Sequence, residues 1–151
     1  MPLIHLLPKL EKDFSAFEFM PATEFRWSPD EMTIYYDEQV HDDPTLLHEL
    51  AHAILDHKDY LKDIGLIELE RDAWEYAHST LAPRYGIVIE EAIVQDSLDT
   101  YRDWLHARST CPQCGATGLQ IKKSDYKCIA CSTLWHVNDA RFCALRRYIK
   151  K

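Results

Sequence analysis

The feature that most constrains this fold is a pair of histidines four residues apart in an apolar stretch. Residues 48–52 spell H-E-x-x-H, with His48 and His52 at the ends and Glu49 beside the first histidine. In an α-helix, residues i and i+4 lie one above the other on the same face, so both imidazoles can bind one zinc ion. Glu49 would then lie where it can accept a proton from a water molecule. The pattern predicts a buried helix that carries a catalytic zinc site.

Composition indicates two modules of opposite charge. The chain has 151 residues and is 46% apolar, which suits one domain with a small appendage. Residues 1–107 contain 8 Lys/Arg and 23 Asp/Glu, a net charge of −15, whereas residues 108–151 contain 9 and 2, a net charge of +7. We therefore expect two domains, 1–107 and 108–151, with different partners. The apolar N-terminal stretch is too short for a signal peptide or membrane span, which predicts a cytoplasmic protein without a membrane partner.

The periodicity of apolar residues predicts an α+β fold that is mainly helical. Three strand-like segments near 17–19, 25–27 and 33–36 are expected to form a small antiparallel sheet. Asp43 and Pro44 are typical of a helix start, so the first zinc-binding helix should begin there and run to about residue 57. Further helices are expected at about 64–85 and 90–107, and residues 1–13 should form a short helix or an irregular lead-in.

A catalytic zinc site needs a third protein ligand, and the second helix offers three acidic candidates. Glu70 is favoured because its neighbours three and four positions away are all apolar: Leu66, Ile67, Ala73 and Trp74. A carboxylate on that face would be costly to bury unless a metal offset the cost. Asp72 and Glu68 have charged neighbours on their faces and remain weaker alternatives.

These residues resemble the ImmA/IrrE family of metallopeptidases, in which a segment like E-x-E-A-N-x-F-A follows the H-E-x-x-H helix. Here residues 70–77 read ERDAWEYA, with Trp74 in place of the usual polar residue. The resemblance covers roughly residues 30–85 and implies a minimal zincin-like fold, a small sheet plus about three helices. It also implies that residues 33–36 form an edge strand with which an extended peptide could pair. Family members typically cleave a transcriptional repressor, so the resemblance implies a protein substrate such as a helix-turn-helix repressor as partner.

The resemblance implies the reaction of a zinc endopeptidase. Zinc held by His48, His52 and Glu70 would polarise a peptide carbonyl and acidify water, while Glu49 would take the water proton and pass it to the leaving amine. The residue that would stabilise the oxyanion stays open among Tyr35, Tyr36, His57, His78 and His106.

Two other functions remain open from the sequence. SprT-like proteases, which act on DNA-bound proteins, also combine H-E-x-x-H with a C-terminal zinc ribbon, but their third ligand is usually histidine. The other alternative is a non-enzymatic zinc-ribbon module, binding nucleic acid or protein, on a degenerate zincin scaffold. The intact Glu49 disfavours it, because a purely structural zinc site needs no base.

Four cysteines predict a second, structural zinc. Cys111, Cys114, Cys128 and Cys131 form two C-x2-C pairs separated by 13 residues, and Gly115 suits the tight turn after the first pair. Four thiolates leave no position for water, so the chain should bind two zinc ions, one catalytic and one structural. A redox dithiol is the weaker alternative. The fifth cysteine, Cys143, is expected to be a buried thiol.

The cysteine module is also basic and carries aromatic residues. Its aromatic side chains are Tyr126, Trp135 and Tyr148, and its basic ones are Lys122, Lys123, Lys127, Arg141, Arg146, Arg147, Lys150 and Lys151. This mixture suits nucleic-acid binding by phosphate contact and base stacking, but equally docking onto a protein or onto the acidic domain of this chain, or a plain solvated surface.

Overall fold

The computed structural model describes residues 3–139 and 144–150, so Arg141, Cys143 and Lys151 lie outside the described residues. The fold is α+β and divides into two compact units. The first unit comprises Met1–Asp59 and Leu69–Val94, and the second comprises Tyr60–Glu68 and Gln95–Lys151. No helix within the described residues combines the length and the apolar character needed to cross a membrane. The expected boundary between residues 107 and 108 stays a prediction.

The first unit contains a three-stranded sheet whose topology differs from the expected antiparallel one. Strands β1 (Glu18–Pro21), β2 (Arg26–Ser28) and β3 (Thr33–Tyr36) lie in the order β1-β3-β2, with β1 parallel to β3 and β2 antiparallel to it. A tight turn, in which Met32 has a φ of 52°, pairs β2 with β3 and leaves the far side of β3 to β1. Strand β3 is therefore central, and the prediction that residues 33–36 form an edge strand was wrong.

The helices of the chain largely follow the predicted segments. They are α1 (Leu3–Asp13), α2 (Asp43–Ile54), α3 (Asp63–Tyr76), α4 (Ala82–Arg84) and α5 (Glu91–Ser109). A π-helical turn, Ala77–Leu81, joins α3 to α4 within the segment predicted as one helix. Ser79 Oγ donates to the Glu75 carbonyl at 2.7 Å in this turn, and Pro83 just beyond it has no amide hydrogen to continue an α pattern.

Helix α2 differs from its prediction at both ends. Asp42, not Asp43, is the N-cap, because its carboxylate accepts a hydrogen bond from the Thr45 amide at 3.1 Å. The helix ends at Ile54, three residues before the predicted end, and Asp56 takes a left-handed φ of 55° just beyond it. That backbone conformation cannot continue a right-handed helix.

The core of the first unit holds α2 firmly against its neighbours. Six aliphatic side chains of α1, α2 and β3 are completely buried: Leu6, Leu10, Ile34, Leu46, Leu47 and Leu50. Because these residues fix one face of α2, the opposite face presents its two histidines in a defined orientation.

The second unit is built on a four-stranded antiparallel sheet. Its strands β4 (Gly118–Lys122), β5 (Asp125–Cys128), β6 (Leu134–Val137) and β7 (Arg147–Ile149) lie in sequence order. One face of the sheet buries a cluster that includes two of the four cysteines predicted as zinc ligands: Cys111, Tyr126, Cys128, Trp135 and Val137.

The second unit also contains a buried ion pair that no local sequence pattern predicts. Asp63, the first residue of α3, is 1% exposed and accepts a hydrogen bond from Arg108 Nε at 2.8 Å. The Tyr126 hydroxyl donates to the same carboxylate, and Arg108 also donates to the Asn138 carbonyl at 2.6 Å. Since both charges are paired and hydrogen-bonded, their desolvation is offset.

Candidate metal centres

The first candidate metal centre is formed by His48, His52 and Glu70, all buried in the first unit. The Nε2 atoms of the two histidines are 3.1 Å apart, and Glu70 Oε2 lies 2.8 Å from the first and 3.4 Å from the second. Ligands at 2.0–2.1 Å from a tetrahedral zinc ion would be about 3.3 Å from one another. Two imidazoles and a carboxylate at these separations therefore fit a zinc ion.

The electrostatics of this group are dominated by burial and by the contacts among its members. Burial alone would raise the pKa of Glu70, but hydrogen bonds with His48 and His52 outweigh it and hold that pKa well below its ordinary value. Burial lowers the pKa of His48, against the opposing effect of the Glu70 carboxylate. An ionised carboxylate beside a neutral imidazole is the protonation state that metal ligands require.

The two other acidic candidates on α3 lie apart from this group. Asp72 is exposed and pairs with Arg71 at 3.4 Å, and Glu68 is also exposed. Glu70 is 7% exposed and is the carboxylate that the fold brings to the histidines.

The two histidines have further contacts that the sequence analysis did not predict. His52 Nδ1 lies 2.9 Å from His57 Nδ1, and the His57 carbonyl accepts a hydrogen bond from the Trp27 indole at 3.0 Å. The ring of His48 stacks on Trp74 with centroids 4.2 Å apart. His48 Nδ1 is buried with no hydrogen-bond partner among the described residues. Trp74, which stands where the resembled family has a polar residue, thus contacts His48 by stacking.

Glu49 directly follows His48 on α2, and its carboxylate is held by the sheet. It is half-buried on α2, and its Oε2 accepts a hydrogen bond from the backbone amide of Trp27 in β2 at 3.0 Å. Since this amide bonds to Glu49 and not to β3, it lies on the outer edge of β2, which is an edge strand of the sheet.

The five residues considered for oxyanion stabilisation differ in their contacts and in their exposure to solvent. His57 contacts His52, and the Tyr35 hydroxyl donates to Glu31 instead. Tyr36 is buried at the end of β3, and His78 and His106 are exposed. The only one of these five that the described contacts link to the centre is therefore His57, through the far side of the His52 ring.

The second candidate metal centre consists of the four predicted cysteines, which converge in the second unit. Cys111 and Cys131 sulfurs are 3.7 Å apart, and Cys114 and Cys128 sulfurs are 3.5 Å apart. Zinc–sulfur bonds of 2.3 Å in a tetrahedron place sulfurs about 3.8 Å apart, so the cluster fits a four-thiolate zinc site.

Backbone geometry at both turns also suits thiolate ligands. The amides of Gln113 and Ala130 each donate to the sulfur two residues earlier at 3.4 Å. Gly115 has a φ of 79°, and Ser132, at the equivalent position of the second pair, has a φ of 63°. The two turns are thus built alike, although only the first has the glycine that this conformation favours.

The basic module does not expose all of its aromatic residues. Tyr126 and Trp135 are 1% and 0% exposed, with stacked rings 5.6 Å apart inside the sheet core, whereas Tyr148 is 51% exposed. The expectation that all three aromatic residues could stack on bases was wrong for two of them, because they form the core that a small module needs.

Comparisons with protein-family models, with curated proteins and with solved structures give no match. Function is therefore argued from the chemistry of the two centres.

Proposed function

We propose that this protein is a zinc-dependent endopeptidase of the ImmA/IrrE type. The observation that carries the proposal is the convergence of His48, His52 and Glu70 beside the half-buried Glu49. This combination is a catalytic donor set with three protein ligands and a neighbouring carboxylate base. Glutamate as third ligand favours this type over the SprT-like alternative.

Zinc bound by these three residues would polarise the scissile carbonyl and make water more acidic. Glu49 accepts a proton from water as the water oxygen forms a bond to the carbonyl carbon. It then donates that proton to the amine nitrogen as the carbon–nitrogen bond breaks. The amide of Trp27, 3.0 Å from Glu49 Oε2, orients the carboxylate for both transfers.

The substrate we propose is an extended segment of a specific protein, by resemblance a transcriptional repressor in the cytoplasm. Strand β2 supports this, because it is an edge strand of the sheet and its Trp27 amide already reaches Glu49. A peptide that adds to the outer edge of β2 would lie next to the proposed base.

The four-cysteine centre would hold a structural zinc ion in this proposal. All four ligand positions of a tetrahedral ion are taken by sulfur, so none is left for water. In a reducing cytoplasm the thiols would remain available as ligands.

The proposal can be tested by comparing the wild type with Glu49→Gln in cells. We expect wild-type protein to generate new protein N-termini that are absent with Glu49→Gln, because an amide cannot accept the water proton. The matched control is Glu75→Gln, an exposed glutamate on α3 that should leave these N-termini unchanged. Identical N-terminal profiles for wild type and Glu49→Gln, with zinc content equal in both, would overturn the proposal.

A further inference from the structure

The second unit contains an apolar cavity with no role in either metal centre. Its volume is about 360 Å³, and its lining includes Lys62, Ile64, Leu105, Ser109, residues 117–120 and Tyr126. The start of α3, the end of α5 and strand β4 all contribute to it.

Large aliphatic side chains at this cavity are unusually exposed. Leu119 is 60% exposed and Ile64 is 52% exposed, and both line the cavity. Ile121, two residues further along β4, is 50% exposed. A cluster of such side chains around a concave surface is typical of a site that another molecule covers.

The cavity lies beside a strand that can accept a further strand. Within the described residues, β4 is the first strand of the sheet, and Gly118–Lys122 pair only with β5, while Thr117 just before the strand forms a single bridge with Thr110. The outer edge of an edge strand presents unpaired backbone groups, to which an extended peptide can add. Alternate side chains of such a peptide would point towards the cavity.

The positive charge around the cavity indicates the composition of a peptide that could bind there. Lys62 lines it, and Lys122 and Lys123 follow at the end of β4. The nearby carboxylate of Asp63 is buried and neutralised by Arg108, so it does not offset these lysines at the surface. Within the described residues, Lys62 and Lys122 form no ion pair with an acidic side chain. An apolar cavity with a positive rim is complementary to a segment that is both apolar and acidic.

A nucleic acid fits this surface less well. The cavity is apolar, and of the three aromatic residues that could stack on bases, Tyr126 and Trp135 are buried, while the exposed Tyr148 lies on β7, at the opposite edge of the sheet from β4. We propose that this cavity and the free edge of β4 form a docking site for an acidic, extended peptide segment of another protein, with apolar side chains at alternate positions. The site does not depend on peptidase activity.

The test starts from selection of peptides on the full, zinc-loaded chain. The probe is a phage-displayed library of random twelve-residue peptides, from which we expect sequences that alternate apolar and acidic residues. Synthetic copies should bind in fluorescence anisotropy, with affinity that falls as salt increases. Failure to enrich any peptide, or enrichment of sequences without acidic residues, would overturn the proposal.

Substitutions then locate the site on the selected peptides. Ile64→Ser and Leu119→Ser should each weaken binding by about tenfold, and the double change Lys62→Gln with Lys122→Gln should remove most of the salt dependence. The control is Ile129→Ser, since Ile129 is equally apolar and 71% exposed outside the cavity lining. Zinc content verifies folding of each variant.

Two results would refute the docking site. One is equal binding by the control and the cavity variants. The other is competition by a single-stranded oligonucleotide that displaces the peptide, depends on the same lysines and binds more tightly than any selected peptide. That result would assign the surface to nucleic acid.

Discussion

His57 determines which nitrogen of His52 can face a metal ion. Its Nδ1 lies 2.9 Å from His52 Nδ1, so a proton shared there leaves the His52 Nε2 lone pair directed at His48 and Glu70. We expect His57→Ala to weaken zinc binding at this centre by about 10–100-fold, the usual effect of removing a residue that orients a ligand. Competition with chelators of graded affinity measures the zinc affinity of the wild type and of the variant.

The control for this substitution is His106→Ala, which removes an exposed imidazole from α5. Zinc affinity should match the wild type in that variant. If His57→Ala also matched the wild type, the orienting role would be refuted, whereas a loss of folding in His57→Ala would be visible as a loss of helical circular dichroism.

Ser132 is strained in a way that glycine would relieve. Its φ of 63° is equivalent to the 79° of Gly115 in the other cysteine pair. Left-handed backbone costs an L-residue roughly 1 kcal/mol. We expect Ser132→Gly to stabilise the zinc-loaded second unit by up to about this amount, and Gly115→Ala to destabilise it similarly. Denaturant unfolding measures both, and destabilisation by Ser132→Gly would contradict the shared turn geometry.

At the scale of single residues, the sequence predicts those site residues whose positions follow from the spacing of residues along a helix. His48 and His52 follow from their i, i+4 separation, and Glu70 from the apolar neighbours around it, of which Trp74 is 3% exposed. His57 and Trp27 could not be found in this way. Their contacts depend on a loop after α2 and on a strand 30 residues earlier, and local periodicity carries no information about such contacts.

Strand β4 depends on a glycine at its start. A Cβ at Gly118 would lie 2.4 Å from Trp135 Cη2 and 2.8 Å from the Lys127 carbonyl oxygen. Because Trp135 is completely buried, it cannot move aside easily, and we expect Gly118→Ala to destabilise the second unit by about 1–3 kcal/mol. Gly65→Ala in α3 is the matched control, with its nearest atom at 3.5 Å.

The two alanine substitutions should act in opposite directions. Gly65→Ala removes a poor helix former without a clash and should stabilise by up to about 1 kcal/mol. Urea unfolding of both variants measures the difference. A neutral Gly118→Ala would mean that Trp135 can repack, and the tight β4–β6 packing would then be wrong.

Helix α1 is tied to α4 by a hydrogen bond that depends on pH. The Tyr85 hydroxyl donates to Asp13 Oδ2 at 2.7 Å, and burial together with this bond raises the pKa of Tyr85 to about 12 from 10.0. A raised pKa means that the neutral phenol is the stabilised form. Its stabilising effect is complete below pH 10.0 and is lost as pH rises towards about 12.

Tyr85→Phe should lower the free energy of unfolding by roughly 1 kcal/mol at neutral pH. The difference between wild type and variant should shrink between pH 10.0 and about 12, where the wild-type hydroxyl ionises. Urea unfolding of both proteins across this range measures it. A difference that stays constant to pH 12 would contradict the role of the Tyr85 proton.

The elements illustrate why strand order is harder to predict than strand position. The alternation of apolar and polar residues in the segments of β1, β2 and β3 locates these strands, because it indicates which side chains face the core. It does not report which strand is the neighbour, so a parallel β1–β3 pair was not foreseen. Helix α2 was predicted more closely, since its hydrogen bonds and its cap are all local.

On the scale of the whole molecule, the distribution of charge along the sequence identifies the basic module, but it does not identify the other segments of the chain that belong to the same compact unit. Arg108 begins the basic segment, yet it forms a buried pair with Asp63, which lies 45 residues earlier at the start of α3. Residues 60–68 and 95–107 thus belong to the same compact unit as the cysteines. A net charge cannot reveal such a pair, because pairing removes both charges from the surface.

The number of zinc ions per chain connects both centres to the proposed function. We expect elemental analysis to find two zinc ions in the wild type and one in Glu70→Ala, since two histidines alone hold zinc weakly. Glu75→Gln, an exposed change on the same helix, should keep two. One zinc ion in both the wild type and Glu70→Ala would assign the metal to the four cysteines. His48 and His52 would then bind none, and the peptidase proposal would lose the ion on which its chemistry depends.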